Sequence, residues 1–380
     1  MKNQDAFIAK LVGIDVEKDV PYAELWMGTH PNAPSQVIDL NQGPVSLADW
    51  IQENPKEHLS LNRLSSFPNG LPFLFKVLSA NEALSIQAHP NKVQAEYLHH
   101  QDPEHYPDDN HKPEIAIAID SLDALVGLIS SDNYQQLLLD VPEFQTMGLG
   151  DVTTKRDVHK AVLTLLELWN NDPPRVESHI NAIYQRLNNI YQPNVSEQLF
   201  LDLARIHGRE DIGLLFIFLL NRVHLGPGEA LFLPAGVPHA YLQGNIIECM
   251  ANSDNVVRVG LTNKFCDTKA LTKILSTEIK TDYRVATRVT GYLTEYPTEV
   301  KEFKVKSLQL AERSSQNFSK HEDLTLFLVL DGEVNFHWCT DQSSCCSVFH
   351  CGDSFIAPAN LPKFTIQAKK RSIIYWVELP

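Results

Sequence analysis

The stretch Leu231-Phe-Leu-Pro-Ala-Gly-Val-Pro-His239-Ala-Tyr-Leu-Gln243 decides how the rest of the chain is read. Apolar residues run into Pro234, Gly236 and Pro238, all turn formers. A strand that enters such a turn and leaves as a second strand points His239 inward. An imidazole held there can ligate a metal, because the scaffold fixes its direction. The plainer alternative is a core histidine hydrogen-bonded to backbone.

The wider spacing adds information. Gly228 is followed by five residues, Pro234, one residue, Gly236, two residues, His239, three residues and Gln243. This resembles the second sequence motif of cupin barrels, which ends in Asn where this chain has Gln243. Cupins are jelly rolls and can enclose a metal.

A chain of 380 residues allows two or three domains with ample core. No apolar run reaches the ~18–20 residues that span a bilayer. Met1-Lys-Asn-Gln-Asp lacks the apolar region of a signal peptide, so a cytoplasmic location is expected. The six cysteines (249, 266, 339, 345, 346 and 351) form no Cys-x-x-Cys, and free thiols are the expectation. The group Cys339, Cys345, Cys346, His350 and Cys351 fits no zinc-site spacing. A net charge of −15 argues against nucleic acid as partner. An anionic substrate would need a local group of Lys and Arg to override that field.

Tyr22 to Leu40 reads as strand, turn and strand, with Glu24 and Trp26 on one face. Ser46 is a plausible helix start. Pro72 to Leu78 is a buried strand interrupted by Lys76. In the next strand Ser85, Gln87 and His89 share a face, which is either a polar outer surface or a set of metal-binding lone pairs. His99 to Pro113 is polar and Pro-broken, a solvated loop or a lid. Glu114 stands at the mouth of another strand.

From about Asp151 to Arg222 the texture turns helical. Val176, Ile180, Ile183, Tyr184, Leu187, Ile190 and Tyr191 recur at three- and four-residue steps, and Lys155–Asn170 and Ser196–His207 also read as helices. Ile212 to Leu220 is apolar throughout, a buried helix or strand. Near the end an internal echo appears: Gly228-Glu-Ala-Leu-Phe-Leu-Pro-Ala-Gly-Val-Pro-His239 aligns with Gly352-Asp-Ser-Phe-Ile-Ala-Pro-Ala-Asn-Leu-Pro-Lys363. Lys363 takes the place of the histidine, so the second copy is expected to lack a metal site.

Gln87-Ala-His89-Pro-Asn, His111-Lys-Pro-Glu114, Pro-His239-Ala-Tyr and Glu248-Cys-Met-Ala-Asn-Ser-Asp254-Asn-Val-Val-Arg258, continuing to Lys264, remain to be joined. With Tyr22 to Pro31 and Leu-Pro-Phe-Leu-Phe-Lys-Val-Leu, they resemble the type I mannose-6-phosphate isomerases. The likeness runs from about Pro21 to Lys264, is weak through the helical segment and loose beyond it.

The resemblance implies a mainly β protein with two cupin (jelly-roll) barrels and an α-helical insert. Residues 1–150 and 223–275 would form the metal-binding catalytic barrel, 151–222 the insert, and 276–380 a second barrel without metal. It implies one zinc per chain, held by Gln87, His89, Glu114 and His239, with room left for substrate or water as in catalytic zinc sites. The implied reaction interconverts mannose 6-phosphate and fructose 6-phosphate through an enediolate. Arg258 would complement the developing charge or the phosphate. Lys112 ranks first as proton carrier, provided burial leaves its amine neutral. Glu248 and Asp254 are carboxylate alternatives, each able instead to orient a neighbour. Ser85, Lys264 and Lys92 are candidates for phosphate, and Tyr241 for the pocket wall. The partner is a small sugar phosphate, with no membrane or nucleic acid, and the chain is expected to be a monomer.

Members of that family usually begin with a strand carrying Tyr-x-Trp-Gly. This chain starts Met1-Lys-Asn-Gln-Asp-Ala-Phe-Ile-Ala-Lys. The first strand is therefore expected to be missing, which would expose a sheet edge. Two rival readings are a sugar-phosphate-binding bicupin without turnover and an iron-dependent cupin oxygenase.

Overall fold

The computed structural model describes residues 6–39, 43–59, 70–150, 155–190, 192–278, 280, 282–319, 322–339, 343–361 and 363–380. Nine strands form the sheet that positions the site: β1 (Glu24–Gly28), β2 (Phe73–Ala80), β3 (Ile86–Ala88), β4 (Glu114–Ala118), β5 (Leu122–Leu128), β6 (Leu220–Leu225), β7 (Ala230–Leu233), β8 (His239–Ala251) and β9 (Val257–Gly260). Its main path is β1-β2-β8-β3-β9; β4 joins β8 to β7, and β5 joins β8 to β6. β1 stands at one end of the path. The helix Phe7–Leu11 buries Ile8 and Leu11 in the same core as Phe75 and Val77 of β2.

β8 organises this sheet. Its first residues, His239 to Gln243, pair with β5, and His239 also pairs with Gln87 of β3. Its later residues, Gly244 to Ala251, pair with β2 and, from Ile246, with β4. At the changeover the register against β5 skips one residue between Tyr241 and Gln243. Gly244 follows with φ +138°, and a Cβ there would strike the Ser121 carbonyl. An L side chain rarely adopts that φ, so glycine is required on two counts. β2 is apolar on both faces except at Lys76 and Ser79, so seven of its eight residues are fully buried.

The helical segment holds α1 (Lys155–Asn171), α2 (Pro173–Leu187), α3 (Val195–His207) and α4 (Gly213–Leu219). Asp172 caps α2 ahead of Pro173, and Asn194 and Glu197 form a reciprocal capping box on α3. Val176, Ile180, Ile183 and Leu187 are all buried, whereas Ile190 is exposed; Tyr191 lies outside the described residues. The stretch Ile212 to Leu220 resolves into both alternatives: Gly213–Leu219 is a wholly buried helix, and Leu220 starts β6. Ser46 caps the helix Leu47–Glu53 as its position suggests.

After residue 280 the chain forms two facing sheets. One has six strands in the order Arg288–Thr290, Leu293–Tyr296, Lys304–Leu310, Ser372–Glu378, Thr325–Asp331 and Ser354–Ala357. The other has four: Ser315–Phe318, Phe364–Ala368, Glu333–Cys339 and Ser344–His350. Phe327 and Trp376 from the first pack with Phe336 and Phe364 from the second. A further core joins this region to the nine-stranded sheet, with Phe75, Val77 and Ile247 against Tyr296, Val305, Leu326 and Val377. All six cysteines are free. Among the described residues, no helix is long and apolar enough to cross a membrane.

Candidate active site

Three buried side chains converge from three strand ends. His89 follows β3, Glu114 opens β4 and His239 opens β8; they are 1%, 2% and 1% exposed. Glu114 Oε2 lies 3.3 Å from His89 Nε2 and 3.4 Å from His239 Nε2. None of these three atoms makes a hydrogen bond. The other ring nitrogens explain why. His89 Nδ1 donates to the Asn255 carbonyl at 2.8 Å, and His239 Nδ1 donates to the Val237 carbonyl at 2.9 Å. A neutral imidazole whose Nδ1 carries the proton presents a lone pair at Nε2. Burial also pushes the His89 imidazolium down in pKa, favouring that neutral form. Two lone pairs and a carboxylate oxygen thus face one another without a donor, a costly arrangement unless a cation sits among them. Among the described His, Cys, Asp and Glu residues, this is the one group that could hold a metal ion. His239 is a backbone-bonded core residue through Nδ1, as the plain reading has it, and its Nε2 is left able to ligate a metal.

Glu114 and His239 line a cleft of about 440 Å³, open to solvent, and His89 adjoins it through Glu114. Ser85 and Gln87 line it, so the polar face of their strand turns into the cleft rather than outward. Gln87 is level with His239 on one side and with Arg258 on the other. Lys112 is buried in the cleft wall, with Nζ 3.6 Å from Glu114 Oε1.

A second network, buried at Lys76, Tyr241 and Glu248 and exposed at Glu24, adjoins it. Glu248 on β8 accepts from the Tyr241 hydroxyl at 2.7 Å and pairs with Lys76 Nζ at 2.6 Å. Lys76 also reaches Glu24 at 3.3 Å, and Trp26 Nε1 donates to the same Glu24 oxygen at 2.6 Å. Burial opposes the Lys76 charge, but Glu248 and Glu24 outweigh it and raise the pKa above the ordinary lysine value. Burial raises Glu248, against the pull of Lys76, and raises Tyr241. β2 brings Lys76 between the two carboxylates because it pairs with β1 at Trp26 and with β8 at Glu248.

Arg258, half-buried, and Lys264, exposed, line the cleft farther out. Two sequence candidates lie elsewhere. Lys92 is exposed on the helix Lys92–Gln101, with its ammonium on Asp109. Asp254 is outside the cleft lining, bonded to His30 at 3.3 Å and Asn32 at 2.9 Å. The segment expected to be a loop from His99 begins as the last turn of the helix Lys92–Gln101, from which His99 bonds the Tyr106 carbonyl; beyond it His105 pairs with Asp102, and His111 reaches Glu302 at 2.9 Å. The cleft also contains residues that sequence reasoning passed over: His207 at the end of α3, and Thr262 and Asn263. Lys76 carried a visible signal, a lysine in an apolar strand, but its partners depend on register.

Comparison with known proteins follows this geometry. The sequence pattern of the phosphomannose isomerase type I catalytic domain matches residues 4–129. Mouse mannose-6-phosphate isomerase is 43% identical over 275 residues, covering 69% of this chain and 65% of the mouse protein. A mutant of phosphomannose isomerase from Salmonella typhimurium superposes with a TM-score of 0.85 at 30% identity, covering 98% of this chain and 94% of that one. A zinc-bound mannose 6-phosphate isomerase superposes at a TM-score of 0.84, with 30% identity and the same coverage. With likeness over nearly the whole length of a solved member and buried histidine and carboxylate lone pairs converging in its cleft, the chain belongs to the type I phosphomannose isomerase family.

Proposed function

We propose that this protein interconverts mannose 6-phosphate and fructose 6-phosphate with one zinc ion per chain. The observation that carries this reading is the trio of unsatisfied buried atoms on His89, Glu114 and His239, two of which line a cleft that also holds Arg258 and Lys264. Gln87 would complete the ligand set, since it lines the cleft level with His239. A set of two imidazoles, one carboxylate and one amide oxygen suits zinc with a place left for substrate. Bound there, zinc supplies Lewis acidity toward the sugar's oxygens.

The chain's own residues supply the rest. The reaction removes a proton beside a carbonyl and returns it one carbon away. A positioned base contributes about 10²–10⁴-fold, which is roughly 3–5 kcal/mol. Lys112 is our choice for that base, because its amine stands in the cleft wall beside Glu114. Glu248 is better suited to orienting: Tyr241 occupies one of its oxygens and Lys76 the other. Asp254, tied to His30 and Asn32, would support the chain beside Arg258. Arg258 would complement the enediolate or the phosphate, and Ser85 and Lys264 would bind phosphate. Lys92 would contribute only at long range.

We assign the nine-stranded sheet to a cupin barrel built from 1–150 and 220–275, residues 151–219 rather than 151–222 to the helical insert because Leu220–Leu225 is a strand of the sheet, and 276–380 to a second cupin-like barrel without metal. Six free thiols fit a reducing, cytoplasmic setting, and we propose a monomer. The test is sugar-phosphate interconversion by the zinc-loaded protein, with and without a chelator. Turnover lost on chelation and restored by zinc is the expected result. Folded, zinc-loaded protein that binds fructose 6-phosphate without converting it would identify a binding protein instead.

A further inference from the structure

The helical segment also takes part in the cleft. The basic side chains that line it divide into two kinds. Lys76 and Lys112 each have a carboxylate partner. The Arg258 guanidinium, the Lys264 ammonium and the His207 imidazole make no ion pair or hydrogen bond with the described residues. In a chain of net charge −15, donors left unmatched in one cleft mark where an anion is received. His207 is half-buried at the last position of α3, and an imidazole keeps an N–H to donate in either protonation state.

What aims these groups is a clamp between the helical segment and the turn after β9. One Asp211 oxygen accepts from the Gly213 N–H and the other from the Leu261 N–H, each at 2.7 Å. Leu261 is held at φ +57°, a conformation that non-glycine residues avoid. The turn then runs through Thr262, whose hydroxyl accepts the Lys264 N–H at 3.1 Å. Gly213 and Gly260 meet backbone to backbone, and a Cβ on either would strike Asp211 or the other glycine. Burial pushes the Asp211 carboxyl up; the Gly213 and Leu261 N–H groups and the His207 charge oppose this. The end of α3, the Asp211 bend and the Leu261–Lys264 turn are thus one connected piece.

We infer that the helical insert completes the phosphate-binding end of the cleft: His207 donates to the sugar's phosphate beside Arg258 and Lys264, and Asp211 is a positioning residue that fixes the turn bearing Lys264. This deepens the isomerase reading and rests on it. The loss of one charge-assisted hydrogen bond to phosphate weakens binding by about tenfold.

The experiment uses the full-length, zinc-loaded chain with three readouts: fructose 6-phosphate turnover, inhibition by inorganic phosphate, and inhibition by unphosphorylated fructose. His207→Ala should raise the fructose 6-phosphate KM and the inorganic phosphate inhibition constant together by about tenfold. Its kcat should stay within about twofold, with fructose inhibition and zinc content unchanged. Asp211→Asn, which keeps one acceptor oxygen, should shift the same two phosphate constants and leave fructose inhibition alone. General damage to the fold would move all three. Unchanged phosphate inhibition in His207→Ala, or parallel loss of phosphate and fructose binding in both variants, overturns the inference. If the wild-type chain shows no turnover, the isomerase reading fails separately. Titration calorimetry with inorganic phosphate on wild type and His207→Ala then still decides whether His207 binds the anion.

Discussion

The segments Gly226–His239 and His350–Lys363 are built by the same carpentry. Glu229 accepts the N–H of Gly226 and Asp353 accepts the N–H of His350, both at 2.7 Å. Gly228 has φ +82° and Gly352 has φ +88°, and the N–H of each donates across to a neighbouring strand at 2.8 Å. Each glycine leads into a short strand, Ala230–Leu233 or Ser354–Ala357. At the far end the copies part: His239 is buried against Glu114, whereas Lys363 is exposed and Pro362 lies outside the described residues. The turn chemistry therefore serves the scaffold alone. Chemistry arises only where the strand end also meets a carboxylate and a second imidazole.

The largest expected effect tests that contrast. His239→Ala should abolish isomerisation, by roughly a thousandfold or more given the several kcal/mol a metal supplies. Bound zinc should fall below one per chain by elemental analysis. Full zinc retention in that variant would contradict the ligand assignment.

Lysine burial sharpens the comparison next. Lys76 sits between Glu248 and Glu24 with 8% of its side chain exposed. Lys306 in the six-stranded sheet reaches Glu378 at 2.7 Å and Glu295 at 3.4 Å, carboxylates 25% and 31% exposed, and so has no counterpart to Glu248, which is 3% exposed. Lys76→Met leaves the buried Glu248 carboxylate uncompensated and should cost about 3–5 kcal/mol in urea unfolding. Lys306→Met should cost about 0–1 kcal/mol. Equal losses would mean that the two regions are no different in this respect.

A smaller effect concerns the link between the regions, His111 with Glu302. Burial opposes ionisation of Glu302, but the His111 contact outweighs it and holds the pKa below the ordinary carboxylate value of 4.5. A depressed carboxylate stabilises the fold above its unfolded pKa, and that contribution disappears as pH falls through the folded value. Glu302→Gln should thus lose about 1 kcal/mol or less near neutrality and match wild type in strong acid. A difference that persists in strong acid would refute the pairing. Lys363→Ala should change neither turnover nor zinc content; a large loss in an activity assay would show that the second copy is not inert.

How much of this was legible beforehand differs by residue. His89, Glu114 and His239 each stand within a residue of a Pro, but local sequence left the two histidines with a plainer reading, and only the resemblance to a known family joined the three as a set. Alternation told that Ser85, Gln87 and His89 share a face, but not that the face turns into the cleft, because a period of two does not say which side is inside. The Lys76 partnership needed the registers of β1 and β8 on β2, which no local pattern records. His207 ends an ordinary amphipathic helix, and only the packing of α3 beside the Asp211 bend brings it to the cleft. The place of Lys92 depends in the same way on Asp109, seventeen residues away.

The one-residue skip in β8 sets which half of that strand speaks to the substrate. Counting by twos from His239 and Tyr241 would put Ile247 and Cys249 on the cleft side and press Glu248 into the greasy layer behind. Because of the extra residue, Glu248 instead meets the Tyr241 hydroxyl, while Ile247 and Cys249 pack behind with Phe75 and Val77. Deleting Gln243 would keep every ligand and every charge in the sequence and still turn half the wall inside out.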